Sequence, residues 1–340
     1  MPFGYYTLRL LPYSGNSQPP VVPQGKVRPP VFFYNPPMNS SLPQPAQRQA
    51  FLAGMAIAVT GAVLFSTKAI VAKLIYRYHV DAVTLIGFRM LFSLPFFAAV
   101  AWWHARRAPA LSWGDRIRIS VLGLLGYYLS SFLDFLGLQY ISAGLERLIL
   151  FLTPSFVLLI SVLFLNKKIG RFEWLALGVS YMGTVLVFLH DARTGGPDVP
   201  LGSAFVLASA VSYAIYLLMS GELVRRVGPM RLVAYAMCVS SFACILQFLL
   251  LRPLATLGQP APVYWLSLVN AVFCTVLPVF LTMIAVARIG APTVSLSGMV
   301  GPVSTLFLGA LVLGEPITVI QLAGTALVLT GIYLLSKKKA

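Results

Sequence analysis

The chain has 340 residues, 58% of them hydrophobic and only 10% charged, with a mean hydropathy of +0.84. Soluble domains carry about a quarter of their residues as charge, so a water-facing fold is excluded and the bilayer is the expected surroundings. A formal charge of +16 would suggest nucleic acid in a soluble protein, but Lys and Arg collect in cytoplasmic loops of membrane proteins, and no nucleic-acid partner is expected.

Residues 1–48 hold nearly half of the prolines, four basic residues, no acidic ones and no helical period. Such a stretch cannot bury enough apolar surface to offset its ordering entropy, and it is expected to be a disordered tail. No apolar core follows a charged start, so it does not fit a signal peptide. A second option is a natural start at Met38.

From residue 51 onward, apolar runs of spanning length follow one another. A span needs about 20 residues, and the runs predict helices over 51–75, 82–103, 117–138, 143–165, 172–190, 201–222, 230–251, 263–286, 293–314 and 317–336. Stop signals separate them: Gly170, Gly195-Gly196-Pro197, Gly228-Pro229, Pro260 with Pro262, and Gly290 with Pro292. Arg106, Arg107, Arg116 and Arg118 fall in the second loop. Lys167, Lys168 and Arg171 fall in the fourth, Arg225, Arg226 and Arg231 in the sixth, and Arg288 in the eighth. By the positive-inside rule both termini are expected in the cytoplasm. Cys238, Cys244 and Cys274 lie inside apolar runs and read as small packing residues, without disulfide or metal spacing.

The chain also repeats itself. Phe132-Leu133 recurs as Phe280-Leu281, Ala143 as Ala291, Pro154 as Pro302, Gly183 as Gly331 and Gly54 as Gly202, all 148 residues apart without a gap. Two halves, 51–190 and 201–336, therefore hold five helices each. Five is odd, so the second half runs through the membrane upside down. The expected fold is an all-α polytopic membrane protein of ten transmembrane helices in two inverted five-helix repeats, a frequent plan of secondary transporters. Leu313-Gly314-Glu315-Pro316-Ile317 matches Leu165-Asn166-Lys167-Lys168-Ile169. The acid outside against lysines inside is what the inversion alone predicts.

Several motifs resemble those of one family. Ser297-Gly298-Met299-Val300-Gly301-Pro302 leads to the Leu313–Ile317 turn, followed by Gly324 and Gly331. In the first half stand Phe88-Arg89, and Leu138-Gln139-Tyr140-Ile141-Ser142-Ala143-Gly144 followed by Pro154. Together they resemble the EamA-type branch of the drug/metabolite transporter superfamily, over about 51–336. The resemblance implies export or exchange of small metabolites, amino acids or drugs, coupled to protons or an opposing solute, in a bacterial inner membrane. It implies no cofactor. Two positions depart from the pattern: the first-half Leu-Gly-Glu turn is missing, and Glu146-Arg147 stand where relatives carry small apolar residues.

Ionisable groups inside spans are functional candidates by default. Lys68, Arg89, Asp134, Glu146 and Arg147 are such groups, all in the first half and all expected within roughly 10 Å of the outer helix ends. Three bases against two acids leave one positive charge over. They are expected to line an outward-opening cavity, with Arg147 and Arg89 neutralising the acids and the surplus receiving a carboxylate- or phosphate-bearing solute. Glu146 is the candidate proton carrier. A structural alternative pairs Asp134 with Arg147 as a helix staple and lets Lys68 snorkel outward. Tyr213, Tyr216 and Asn270 are candidate pathway residues, as are, with less weight, Tyr127 and Tyr128, whose type commonly anchors at the interface. Pro154 and Pro302 are candidate hinges or gates. Gly54, Ala58, Ala62 and Ser66 form a close-packing stripe on the first helix. HExxH, GxSxG and paired membrane aspartates are missing, which speaks against an intramembrane enzyme. A non-transporting receptor or assembly scaffold remains the alternative.

Overall fold

The computed structural model describes residues 44–165 and 170–337. Most of the expected tail and the Asn166–Ile169 turn lie outside the described residues. The described chain is helical, in ten successive membrane helices: α1 Gln44–Tyr76, α2 Ala82–Arg107, α3 Trp113–Leu138, α4 Ala143–Leu150 with Thr153–Leu165, α5 Arg171–Thr194, α6 Val199–Val227, α7 Pro229–Leu251, α8 Ala261–Ile289, α9 Ala291–Ser297 with Val300–Leu313, and α10 Val319–Lys337. Among the described residues eight helices are long and apolar enough to cross a membrane, and Val300–Leu313 and Val319–Leu335 are shorter apolar pieces. The ninth span enters this tally only from Val300, past the break at Gly298-Met299.

Local chemistry sets the helix ends. The Asp81 carboxylate accepts from the Val83 and Thr84 N–H groups at 2.8 and 3.0 Å, starting α2. Ser142 caps α4 by accepting from Leu145 N–H at 3.1 Å. Such caps satisfy N–H groups that the first helical turn leaves without partners. Gly228 and Gly290, with φ of 88° and 80°, are the single residues that turn α6 into α7 and α8 into α9, a backbone conformation that favours glycine.

The duplication is visible in the distortions. A π-helical turn covers Leu124–Leu129 in α3 and another covers Val272–Val276 in α8; their first residues are 148 apart. Both fourth helices break, at Phe151-Leu152 and at Gly298-Met299, shortly before Pro154 and Pro302. Contacts follow the same symmetry. α1 packs on α8 as α6 packs on α3, while α2 pairs with α7 and α5 with α10. Small residues permit the closest approaches. A Cβ on Gly183 would stand 2.5 Å from the Gly324 carbonyl oxygen, and one on Gly54 would stand 2.3 Å from Ile289 Cγ2. The Gly54–Ala58 end of the α1 stripe thus packs on α8, whereas Ser66 at its other end donates to the Gly301 carbonyl of α9 at 3.1 Å.

The outer surface is apolar. Leu163, Phe164, Leu250, Leu311 and Val319 are at least 73% exposed, as suits a lipid-facing wall. All five tryptophans are exposed, and Arg106 and Arg107 stack 3.8 and 3.5 Å over Trp102 and Trp103, an arrangement suited to the membrane interface. The largest apolar core joins α1, α2, α3, α7 and α8 around Ile75, Leu85, Met90, Phe97 and Phe135.

Candidate functional site

The first-repeat charges converge within the bundle. Lys68 on α1 meets Asp134 on α3 in a close ion pair and hydrogen bond, and its Nζ lies 3.3 Å from Glu146 Oε1 on α4. The second contact is an ion pair off the line of a hydrogen bond; among the described residues both Glu146 oxygens and Asp134 Oδ1 lack hydrogen-bond partners. Exposures of 4%, 3% and 0% for Lys68, Asp134 and Glu146 show that the triad is sealed from its surroundings. Two phenylalanine rings flank the ammonium, Phe65 and Phe135, each 5.3 Å from Nζ to centroid. Ser142 starts α4 four residues before Glu146, and the break at Phe151-Leu152 ends its first segment soon after.

This pairing corrects two expectations. Neither Arg89 nor Arg147 neutralises the acids, because Lys68 holds both. Lys68 does not snorkel, since it sits on the interior face of α1. Desolvating an ammonium is expensive unless a counter-charge is near, and the two carboxylates supply it. The Asp134–Arg147 staple is likewise not formed. Arg147 instead donates from Nη2 to Ser66 Oγ at 3.1 Å and lies 5.0 Å from the Phe65 ring centroid. Gly301 on α9 makes room for it: a Cβ there would stand 2.8 Å from Arg147 Nη2. Nor do these residues line an open cavity in this conformation, for none of the five charged side chains is more than 6% exposed.

Arg89 on α2 occupies a neighbouring position. Its Nε donates to Thr275 Oγ1 on α8 at 2.7 Å, and its guanidinium faces the Phe135 ring at 4.9 Å. Asn270 is fully buried on α8, and its main-chain oxygen accepts from the Thr275 hydroxyl at 2.9 Å. Cys274, between them in sequence, lies with its Sγ 3.0 Å from Thr67 Oγ1, and the three cysteines are free.

Tyr213 and Tyr216 are placed elsewhere. They stack on each other at 5.4 Å, and the hydroxyls of Tyr216 and Tyr127 are 3.0 Å apart. This group packs with Ile119, Leu122, Leu223 and Leu232, away from the triad. Tyr128 is only partly buried against the main core. Of the proline pair, Pro302 is buried and Pro154 is exposed on the bundle surface. Sequence reasoning missed Ser66 and Thr275 as partners of the arginines, and treated Glu315 as a topological charge alone. Glu315 Oε1 in fact accepts from Ala143 N–H at 3.3 Å and lies 3.6 Å from Lys73 Nζ. The second repeat's turn thereby ties the ends of α1 and α4. Its offset from the lysine-bearing first turn was the signal that could have found it.

Comparison with known proteins agrees with this architecture. The model of the EamA-like transporter family matches residues 52–189 and again 200–337. An uncharacterized transporter of Bacillus subtilis, YcbK, is 31% identical over 284 residues, 80% of this chain and 89% of that protein. An uncharacterized transporter of Archaeoglobus fulgidus is 27% identical over 229 residues, 67% of this chain and 80% of its own length. A solved crystal structure aligns with 85% of this chain and 99% of its own at a TM-score of 0.59 and 18% identity, a likeness of fold. Two copies of one family domain, each on a five-helix half, identify the chain as a multi-pass membrane transporter that belongs to the EamA-like family of the drug/metabolite transporter superfamily.

Proposed function

We propose that this transporter is a secondary active exporter or exchanger of a small anionic metabolite, coupled to protons, with alternating access between its two repeats. It works in a bacterial inner membrane with both termini in the cytoplasm, the orientation that the basic loops favour. The observation that carries the reading is the sealed Lys68–Asp134–Glu146 triad. One ammonium balances one carboxylate. The second acid, held inside the membrane, carries an uncompensated charge unless it takes up a proton or a neighbouring cation turns to it. Asp134 and Glu146 therefore form the proton site, and Lys68 is its fixed counter-charge.

Movement has a place to act beside it. Glu146 and Arg147 ride on the first segment of the broken α4, and Arg147 touches Gly301 of the broken α9. Discontinuous helices with freed backbone groups border binding sites in inverted-repeat transporters. Pro154 and Pro302, just past the two breaks, are the hinges. A receptor or scaffold has no use for sealed, mutually dependent charges inside its first repeat.

The solute is found by comparing metabolites inside and outside cells with and without the protein. Purified protein in proteoliposomes is then assayed for flux of that solute and for accompanying pH change. Asp134→Asn and Glu146→Gln abolish the proton movement and Arg89→Gln abolishes flux. Full transport by all three folded variants overturns the proposal.

A further inference from the structure

Arg89 and Arg147 are the two cations of the group that the ion pairs leave over, and Arg89 is the one whose hydrogen-bond partner is linked to a second unsatisfied polar residue, Asn270. Arg89 is 4% exposed, and among the described residues no carboxylate lies within ion-pair distance of it. Thr275 takes its Nε, while its Nη1 has no acceptor. Asn270, 0% exposed and joined to Thr275 through its main-chain oxygen, has no partner among the described residues for either its side-chain nitrogen or oxygen. A buried guanidinium with so few acceptors is poorly compensated for its lost hydration, and an unpaired buried amide adds to that deficit. Both deficits disappear if an anion with an adjoining polar group enters between α2 and α8.

The chemistry of the group narrows the anion. A guanidinium presents parallel N–H donors matched to the two oxygens of a carboxylate. A phosphate dianion would call for a second cation at the same place, and neither of the other two shares Thr275 with Arg89. Lys68 pairs with its acids, and Arg147, whose Nε also lacks an acceptor among the described residues, donates its Nη2 to Ser66 and lies against the Phe65 ring. We propose that Arg89 is the binding site for a single carboxylate of the solute, with Asn270 meeting a neutral polar group beside it. The inference rests on the transport reading above and names its solute class, a monocarboxylate. Phe135 is the wall between the two sites: Arg89 faces its ring at 4.9 Å and Lys68 Nζ at 5.3 Å. Solute and proton thus occupy separate, adjacent places.

Acetate is the smallest probe of such a site. Purified protein in lipid nanodiscs is heated at neutral pH in sodium acetate, sodium chloride or sodium phosphate of equal ionic strength. Acetate raises the Tm of the wild type in a saturable manner, and chloride and phosphate do not. Arg89→Gln abolishes the rise. Arg89→Lys keeps a charge without the fork and shifts the half-maximal acetate concentration upward by about tenfold. The proposal is overturned if acetate protects no protein, if phosphate protects better than acetate, or if Arg89→Gln responds like wild type. Should Arg89→Gln fail to fold, an unchanged half-point in Arg89→Lys overturns it as well. Acetate binding through Arg89 without any solute flux in proteoliposomes would leave this site standing and overturn the transport reading instead.

Discussion

Lys68→Met separates the electrostatic role of the triad from its packing role. The substitution keeps the length of the side chain and removes the only cation among the described residues in ion-pair contact with Asp134 and Glu146. Among the described residues Asp134 Oδ1 and both Glu146 oxygens have no hydrogen-bond donor even in the wild type, so no existing hydrogen bond takes the place of the ammonium. Breaking a buried ion pair by removing one partner costs about 3–5 kcal/mol, because a charge is left without compensation. Replacing a whole buried ionic set by apolar groups is near neutral or stabilising by about 1–4 kcal/mol. Unfolding in one detergent, followed by tryptophan fluorescence, should therefore rank the single variant well below wild type and restore the combined Lys68→Met, Asp134→Leu, Glu146→Leu variant to wild-type stability or above. Transport is lost in both. A single variant as stable as wild type refutes the reasoning, since the ammonium would then not be what holds the two acids in place.

Two further outcomes test the frame around the site. Gly183→Ala drives a methyl group against the Gly324 carbonyl, 2.5 Å away, and should destabilise the α5–α10 pair by about 1–3 kcal/mol in thermal unfolding; Gly178→Ala on the same helix meets nothing within 4 Å and should be neutral or stabilising by up to about 1 kcal/mol. At the start of α2, burial alone would raise the Asp81 carboxyl, but hydrogen bonds from Arg252 and Thr84 outweigh it and hold the group below its ordinary value of 3.8. A lowered folded-state value means that its contribution is complete at neutral pH and disappears as the pH falls through the acid range. Asp81→Ala should thus lower stability by about 1 kcal/mol near neutrality, with the difference from wild type closing below pH 3.8 in a pH series of unfolding curves.

Hydropathy and duplication were legible in the sequence because both are local or strictly periodic. A bilayer asks for about 20 apolar residues per crossing, and the spans predicted on that ground overlap all ten helices. The fixed separation between Pro154 and Pro302 placed both helix breaks within three residues. Partner choice was less legible. Depth along a helix follows from counting residues, but the direction a side chain points around its helix depends on which neighbours pack there. Counting set Asp134 and Arg147 at similar depth and so suggested a pair; the packing of α1 between them delivered Lys68 to both acids and left Arg147 to Ser66 and a ring face. Asn270 was singled out for a polar side chain deep in a span, and it is indeed fully buried. Thr275, a small hydroxyl among apolar residues, gave no comparable signal.

The duplication also explains why the tyrosines stand apart from the charges. Adding the repeat offset to Phe65 and Lys68 gives Tyr213 and Tyr216, and subtracting it from Thr275 gives Tyr127. In one copy of the α1–α8 interface Phe65 borders Lys68, Thr275 receives Arg89, and the acids close the group. In the inverted copy, α6 against α3, the same positions hold three tyrosines that satisfy one another through ring contacts and the Tyr127–Tyr216 hydrogen bond. Asp134, Glu146 and Arg147 correspond to Thr282, Val294 and Ser295, so no ionic partner is available there. A Lys at position 216 would be an unpaired buried charge; a Tyr needs only one neighbouring hydroxyl. The fold supplies two equivalent niches where the repeats meet, and this chain ionises one and fills the other. The ionisable groups therefore concentrate in the first niche, while the second gives the two repeats a neutral, hydrogen-bonded contact.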